Sequence, residues 1–210
     1  MSKKESPFFE RGKTFYGPAV PDSAALQGVD LEGREFEMED YDYASTARPL
    51  PLRTRNTMVR VRIVRNVSGI SLLPKRLARF TTTAGAASLT RVDGYGYATA
   101  DAVVAPIDEF LPAAGVQNND LFYVVMDGPC LFLTDLAGAA NNVINVGGVL
   151  VALTAASSQA TTAGRVAPQD LTGATALLGA QIQNRLGRAL SAKTTANTNA
   201  DVLVNFTGRF

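Results

Sequence analysis

Met58-Val59-Arg60-Val61-Arg62-Ile63-Val64-Arg65 is the stretch on which the fold turns. Val59, Val61 and Ile63 alternate with Arg60 and Arg62, the period-two pattern of a strand with one face in a core and the other in water. Asn66-Val67-Ser68-Gly69 ends it as a turn. Toward the C-terminus the same language continues. Residues 92–99 and 102–107 are short strand candidates, with Asp93-Gly94 opening the first. Residues 121–126 and 130–133 are strongly apolar, and Asp127-Gly128-Pro129 between them reads as the tight reversal of a hairpin. Residues 149–153 follow Gly147-Gly148 as a strand after a bend, and residues 201–206 alternate Val202, Val204 and Phe206 with Leu203 and Asn205. Three stretches of small residues, 81–88, 155–164 and 191–200, carry almost no charge and read as surface loops or segments laid against a partner. Residues 171–190 place Leu171, Ala174, Leu178, Ile182 and Ala189 at roughly helical spacing and predict one short helix. Gly173, Gly179 and Gly187 each weaken it by about 1 kcal/mol. The expected fold is mainly β: a small β-barrel or β-sandwich body over residues 58–210, with at most one short helix.

Working back toward the N-terminus, the character changes. Residues 1–57 hold five of the ten prolines, Pro7, Pro18, Pro21, Pro49 and Pro51. Proline fixes its own φ and biases its predecessor toward extended backbone, so this segment reads as a long extended N-terminal arm. Phe8, Phe9, Phe15, Tyr16, Phe36, Tyr41 and Tyr43 are scattered through it without period. An arm with no core of its own must bury such side chains on its body or on a neighbouring molecule, which makes them candidate partner-binding residues.

Charge is segregated. Seven acids lie between Asp30 and Asp42 against one base, Arg34, whereas residues 43–92 hold ten bases and no acid, nine of the ten being Arg. Arginine's planar fork suits bidentate pairing with carboxylate or phosphate. Pairing between the acidic and arginine blocks, from arm to body or between subunits, is the first reading. Nucleic-acid binding by the arginine-rich segment 48–91 is the second. A solvated strand face with weak ion pairs is the third. The near-neutral net charge of +1 and the adjacent acidic block disfavour a polyanionic partner. Arg48, Arg53, Arg55, Arg60 and Arg62 join the aromatics as candidate contacts.

Composition removes most chemistry. There is no His and a single Cys, so a Ser-His-Asp triad, a histidine zinc site and an intrachain disulfide are excluded. Cys130, among Leu131-Phe132-Leu133, reads as core. Asp40-Tyr41-Asp42 lacks the Gly and Glu of a calcium loop. Asp108-Glu109 is read as an adjacent pair on a strand, pointing to opposite faces and unable to converge on one substrate. No catalytic, cofactor-binding or metal-binding residue is predicted, and the chain is not expected to be an enzyme. MSKKESPFFERGK has no apolar stretch behind its bases, so a secretory signal is not expected. The longest apolar run, residues 147–156, falls short of the roughly 18 to 20 residues of a membrane helix, so no membrane partner is expected. The sequons at Asn66 and Asn205 read as chance.

The C-terminal half carries a resemblance. A hydrophobic hairpin with Asp-Gly at its turn over 121–133, then Gly147-Gly148-Val149-Leu150-Val151, Leu186-Gly187-Arg188-Ala189-Leu190 and the closing Val202-Leu203-Val204-Asn205-Phe206 follow in that order. This resembles the small β-barrel decoration, or cement, proteins of tailed-bacteriophage heads, in which a hydrophobic-Gly-x-Ala-hydrophobic strand precedes a last valine-rich one. The resemblance covers about half the chain. It implies a structural virion protein assembled in the host cytoplasm and bound to the exterior of the phage head. Its partner would be the major capsid protein, with a homotrimer at local three-fold positions and an arm clamping neighbouring subunits. The arm and the arginine-rich segment are larger than in compact members, which leaves open a head-neck structural protein.

Overall fold

A computed structural model describes residues 11–14, 31–42, 52–83, 86–96, 103–134, 143–152, 164–169, 185–194 and 201–207, with backbone alone at 40–42, 52–57, 83 and 86–88. Ten strands follow in chain order: β1 (Glu35–Asp42), β2 (Leu52–Asn66), β3 (Leu77–Thr83), β4 (Ala86–Tyr95), β5 (Val104–Pro106), β6 (Leu121–Leu133), β7 (Val149–Ala152), β8 (Val166–Pro168), β9 (Arg185–Ala189) and β10 (Asp201–Thr207). The protein is mainly β. The strands form one open sheet in the order β5-β3-β4-β2-β6-β10-β9-β7-β8, with β1 added to β2.

The 13-residue β6 organises this sheet. Its first half pairs antiparallel with β2, from Arg65↔Leu121 to Arg60↔Asp127, and its second half pairs with β10, from Asp127↔Thr207 to Leu133↔Asp201. Because both faces of β6 are covered, its sequence is nearly all apolar rather than alternating. Leu121, Tyr123 and Val125 enter one core with Val59, Val61 and Ile63, while Phe122, Val124 and Met126 enter a second with Val64, Phe80 and Val92. Each such side chain taken fully out of water contributes about 1.5–3 kcal/mol. Ile107, just after β5, bridges Val124, so the β5-β3-β4-β2 half curls around the second core.

Residues 127–129 do not reverse the chain. Just before them Met126 is the extra residue between Val125, opposite Val61, and Asp127, opposite Arg60, and beyond this bulge the even-numbered Cys130 and Phe132 enter the core that the odd-numbered residues occupied before. Gly128, at φ +113, runs so close to β2 that an added Cβ would sit 3.1 Å from Val59. Asp127, Gly128 and Pro129 pair in register with Thr207, Phe206 and Asn205, so the Asp-Gly-Pro signal lies within one long strand just past a bulge and is not a hairpin turn.

The helix expected over 171–190 is replaced in its described part by β9. Gly187 lies where β9 meets β10, and a Cβ there would stand 2.0 Å from the Asn205 carbonyl oxygen. Residues 171–184 lie outside the described residues, among which there is no helix. Residues 81–83 and 86–88, expected in a loop, are paired, since Thr81↔Ser88, Thr82↔Ala87 and Thr83↔Ala86 continue the β3–β4 ladder. Of the strands expected at 92–99 and 102–107, residues 92–95 end β4 and residues 104–106 form β5, while 97–102 lie outside the described residues. The two ends of the sheet, β5 and β8, are both Val-Ala-Pro. Three-residue edges ending in proline offer little to a further strand.

Asn66 ties the end of β2 to the loop before β6. It is fully buried, and its Nδ2 donates to the carbonyls of Ile70 (2.8 Å), Val116 (3.0 Å) and Gln117 (3.1 Å). Its Oδ1 accepts from the Ser68 backbone N–H (3.0 Å) and hydroxyl (2.6 Å).

Candidate partner-binding surface

The acidic block closes on the arginine block within one chain. β1 lies antiparallel on β2 with Glu35 opposite Arg62 and Glu37 opposite Arg60. Arg62 Nε donates to Glu35 Oε1 at 2.9 Å, and its Nη1 reaches the Leu89 carbonyl at 3.2 Å. Glu32, in the turn before β1, holds both Arg65 and Arg91, the latter at 2.9 Å. Arg79 donates to Asp93 at 2.8 Å. Half-exposed pairs of this kind are individually worth about 0–1 kcal/mol. Glu32, largely buried between two guanidiniums, is worth more. In the described part of residues 1–57, then, the extended segment lies on its own body, and the boundary expected between 57 and 58 falls inside β2.

Phe36 is buried in the first core, edge-on to Tyr123 with ring centroids 6.3 Å apart. Of the candidate contacts it is therefore withdrawn from any partner surface. The alternation Phe36/Met38 against Glu35/Glu37/Glu39 puts the apolar residues inward and the acids toward arginine. Arg60 is exposed, between Glu37 of β1 and Asp127 of β6 in the strand register. Tyr41 stands opposite Arg53 in the β1–β2 ladder. The side chains of Tyr41, Arg53 and Arg55 lie outside the described residues, as do Phe8, Phe9, Phe15, Tyr16, Tyr43 and Arg48 altogether.

A second contact between the N-terminal segment and the body is absent from the sequence reading. Arg11 is completely buried. Its Nε donates to Asp108 Oδ1 at 3.0 Å, its Nη2 stands 2.9 Å from the same oxygen and 3.7 Å from Glu109, and its guanidinium covers the Phe110 ring at 4.5 Å. The Gly12 N–H donates to Asp108 Oδ2 at 2.7 Å. Asp108 and Glu109 sit in the turn after β5, not on a strand, so the two carboxylates converge, contrary to the expectation of opposite faces. Thr14 hydrogen-bonds Asp120, whose carboxyl is raised above its ordinary value by burial, against the opposing pull of Thr14, the Gln117 backbone and Arg65. No local signal marks Arg11. Its partners are 97 and 98 residues away, and only the juxtaposed acids at 108–109 hint at a cation to receive.

The opposite kind of surface is found beside β9. Val143, Val146 and Leu190 are exposed, Val146 to 67%. The two segments that carry them are held together by Gly147 N–H to the Ala189 carbonyl (2.8 Å), Ala189 N–H to the Gly148 carbonyl (2.8 Å) and the Ile144–Lys193 bridge. Arg188 braces the turn by donating to the Gly147 carbonyl at 3.1 Å. Cys130 is buried in the first core. Among the described residues, no group of three His, Cys, Asp or Glu is placed to hold a metal ion, and no helix is long and apolar enough to cross a membrane.

No protein-family model, curated protein or solved structure matches the chain.

Proposed function

We propose that the protein is a structural binding module, a cement or decoration protein on the outside of a phage head that bridges neighbouring copies of the major capsid protein. The observation that carries this reading is the exposure of Val143, Val146 and Leu190 on two hydrogen-bonded segments, one leading into β7 and the other leaving β9, the hydrophobic-Gly-x-Ala-hydrophobic strand. Three branched aliphatic side chains on a hydrogen-bonded platform have no role in the cores they point away from. They suit a groove on another molecule. The resemblance of the neighbouring strands, residues 147–151 and 186–190, to capsid decoration proteins supplies the nature of that molecule, its place on the virion and the expectation of a homotrimer.

The arginines contribute less to docking than their number suggests. Among the described residues, Arg62, Arg65, Arg79 and Arg91 already hold carboxylates of the same chain, so these four are partly neutralised before a capsid or a phosphate arrives. This weighs against the nucleic-acid reading of segment 48–91. Apolar contacts from the 143–146 turn and aromatics adjacent in sequence to the anchored residues 11–14 carry the binding instead. In a co-sedimentation assay with capsid particles, Val146→Asp in the full chain is expected to weaken binding at least tenfold while leaving the melting temperature within a few degrees. Undiminished binding by that variant would overturn the assignment of this surface. Duplex DNA should not bind at low salt, and a steep salt-dependent affinity would favour the rival.

A further inference from the structure

We infer that Asp108, Glu109, Phe110 and Asp120 form a recognition socket for an Arg-Gly-x-Thr peptide, and that the N-terminal segment of a second copy of this chain can occupy it in exchange for the chain's own Arg11-Gly12-Lys13-Thr14. The inference is independent of the capsid reading.

Each position of the peptide is read by a separate feature. The arginine is selected by two carboxylates and a ring: Asp108 accepts from Nε at 3.0 Å and its charge stands 2.9 Å from Nη2, Glu109 lies 3.7 Å from Nη2, and Phe110 stacks on the guanidinium at 4.5 Å. A lysine offers one point charge and no plane for this site. The glycine is selected sterically, because Gly12 has φ +79 and a Cβ there would stand 2.8 Å from the Phe110 carbonyl oxygen. Its N–H also donates to Asp108 Oδ2 at 2.7 Å. Lys13 is exposed and unread, while Thr14 meets Asp120. A side chain as polar as arginine, wholly buried and held by the consecutive residues Asp108, Glu109 and Phe110, is a ligand in a built site rather than a chain end lying on a surface.

The ligand and the socket are joined by residues 15–30. Sixteen residues reach about 55 Å at full extension, against a radius of gyration near 17 Å for a 210-residue globule. The tether is thus long enough to deliver Arg11 to an adjacent molecule. Every copy carries both halves, so exchange links copies through a contact already optimised within one chain. Within one copy the tether holds its own segment at a high effective concentration, so exchange requires neighbours held close, as in a lattice.

The test uses full-length chains. Arg11→Ala empties the socket without touching its walls, and Gly12→Ala dislodges the same segment by clash. A synthetic peptide of residues 7–16 should bind either variant at least tenfold more tightly than it binds the wild-type chain. The same peptide with Arg11→Lys should bind at least tenfold more weakly. Equal affinity for variants and wild type, or no binding to either variant, would overturn the socket. Mixing Arg11→Ala chains with Asp108→Asn chains should give a mixed complex in sedimentation that neither forms alone; absence of that complex would overturn exchange between copies. Should both variants melt below the assay temperature, isotope-labelled wild type answers instead. Excess unlabelled peptide should shift the Gly12 amide resonance to its detached position, and an unmoved resonance would count against the proposal.

Discussion

Replacing Asn66 by Asp changes one group and no volume, yet it should be among the most damaging single substitutions in the protein. The Asn66 amide donates toward three carbonyls at 2.8–3.1 Å in a fully buried site. Asn66→Ala removes these bonds and the two that Oδ1 accepts from Ser68. At about 0.5–1.5 kcal/mol per bond the sum approaches 5 kcal/mol. Ile70, Val116 and Gln117 each keep another donor, from the Ser68 hydroxyl, Leu72 N–H and Asp120 N–H respectively, so about 3 kcal/mol is the better figure. Asn66→Asp is worse at neutral pH, because a carboxylate would face three carbonyl oxygens. Its pKa in the folded state must then lie above its unfolded value near 3.9. The folded variant binds the extra proton, so its stability relative to wild type rises as pH falls through that folded pKa and is lost as pH rises. Urea unfolding at pH 7 and pH 5 reads both effects. An Asn66→Asp chain within about 0.5 kcal/mol of wild type at pH 7, or one that loses ground on acidification, would refute the reasoning.

Three further outcomes follow from the same geometry. Asp120 has its carboxyl raised by burial, so the wild-type chain loses stability as pH rises from about 4 through the folded pKa. Asp120→Asn should flatten that slope and be no less stable than wild type at pH 7, by thermal melts across pH 4–7. Glu32→Gln releases Arg65 and Arg91 together and should cost about 1–2 kcal/mol, less in 1 M salt, whereas Asp93→Asn at the half-exposed Arg79 pair should cost under about 1 kcal/mol; denaturant titration at two salt concentrations separates them. Gly187→Ala drives a methyl into the Asn205 carbonyl and should cost about 3 kcal/mol, with amide exchange accelerating first in β9 and β10.

What the sequence made legible depended on whether each pattern was local. The alternation of Val59, Val61 and Ile63 against arginine needs only its own strand, and it marks β2 correctly. The apolar run of β6 is equally plain, but Asp127-Gly128-Pro129 carries the same residues whether the chain reverses or bulges. Only the phase change from Val125 to Cys130, odd to even, separates the two cases. Gly187 misleads in the same way, since a glycine demanded by β10's close approach looks like a defect in a helix. The pairing of acidic with arginine blocks was visible as a charge pattern, while the partners, Glu32 with Arg65 and Arg91 and Glu35 with Arg62, required the β1–β2 register. Arg11 and its carboxylates are joined by nothing shorter than the whole fold.

As a proposed cement protein, this chain would hold a shell together from outside. Particles assembled with and without it, then heated and sheared side by side, test that claim most directly. Complete particles should survive a higher temperature and greater shear than those lacking the protein, and adding the purified chain back should restore the difference. Equal survival of both would contradict it.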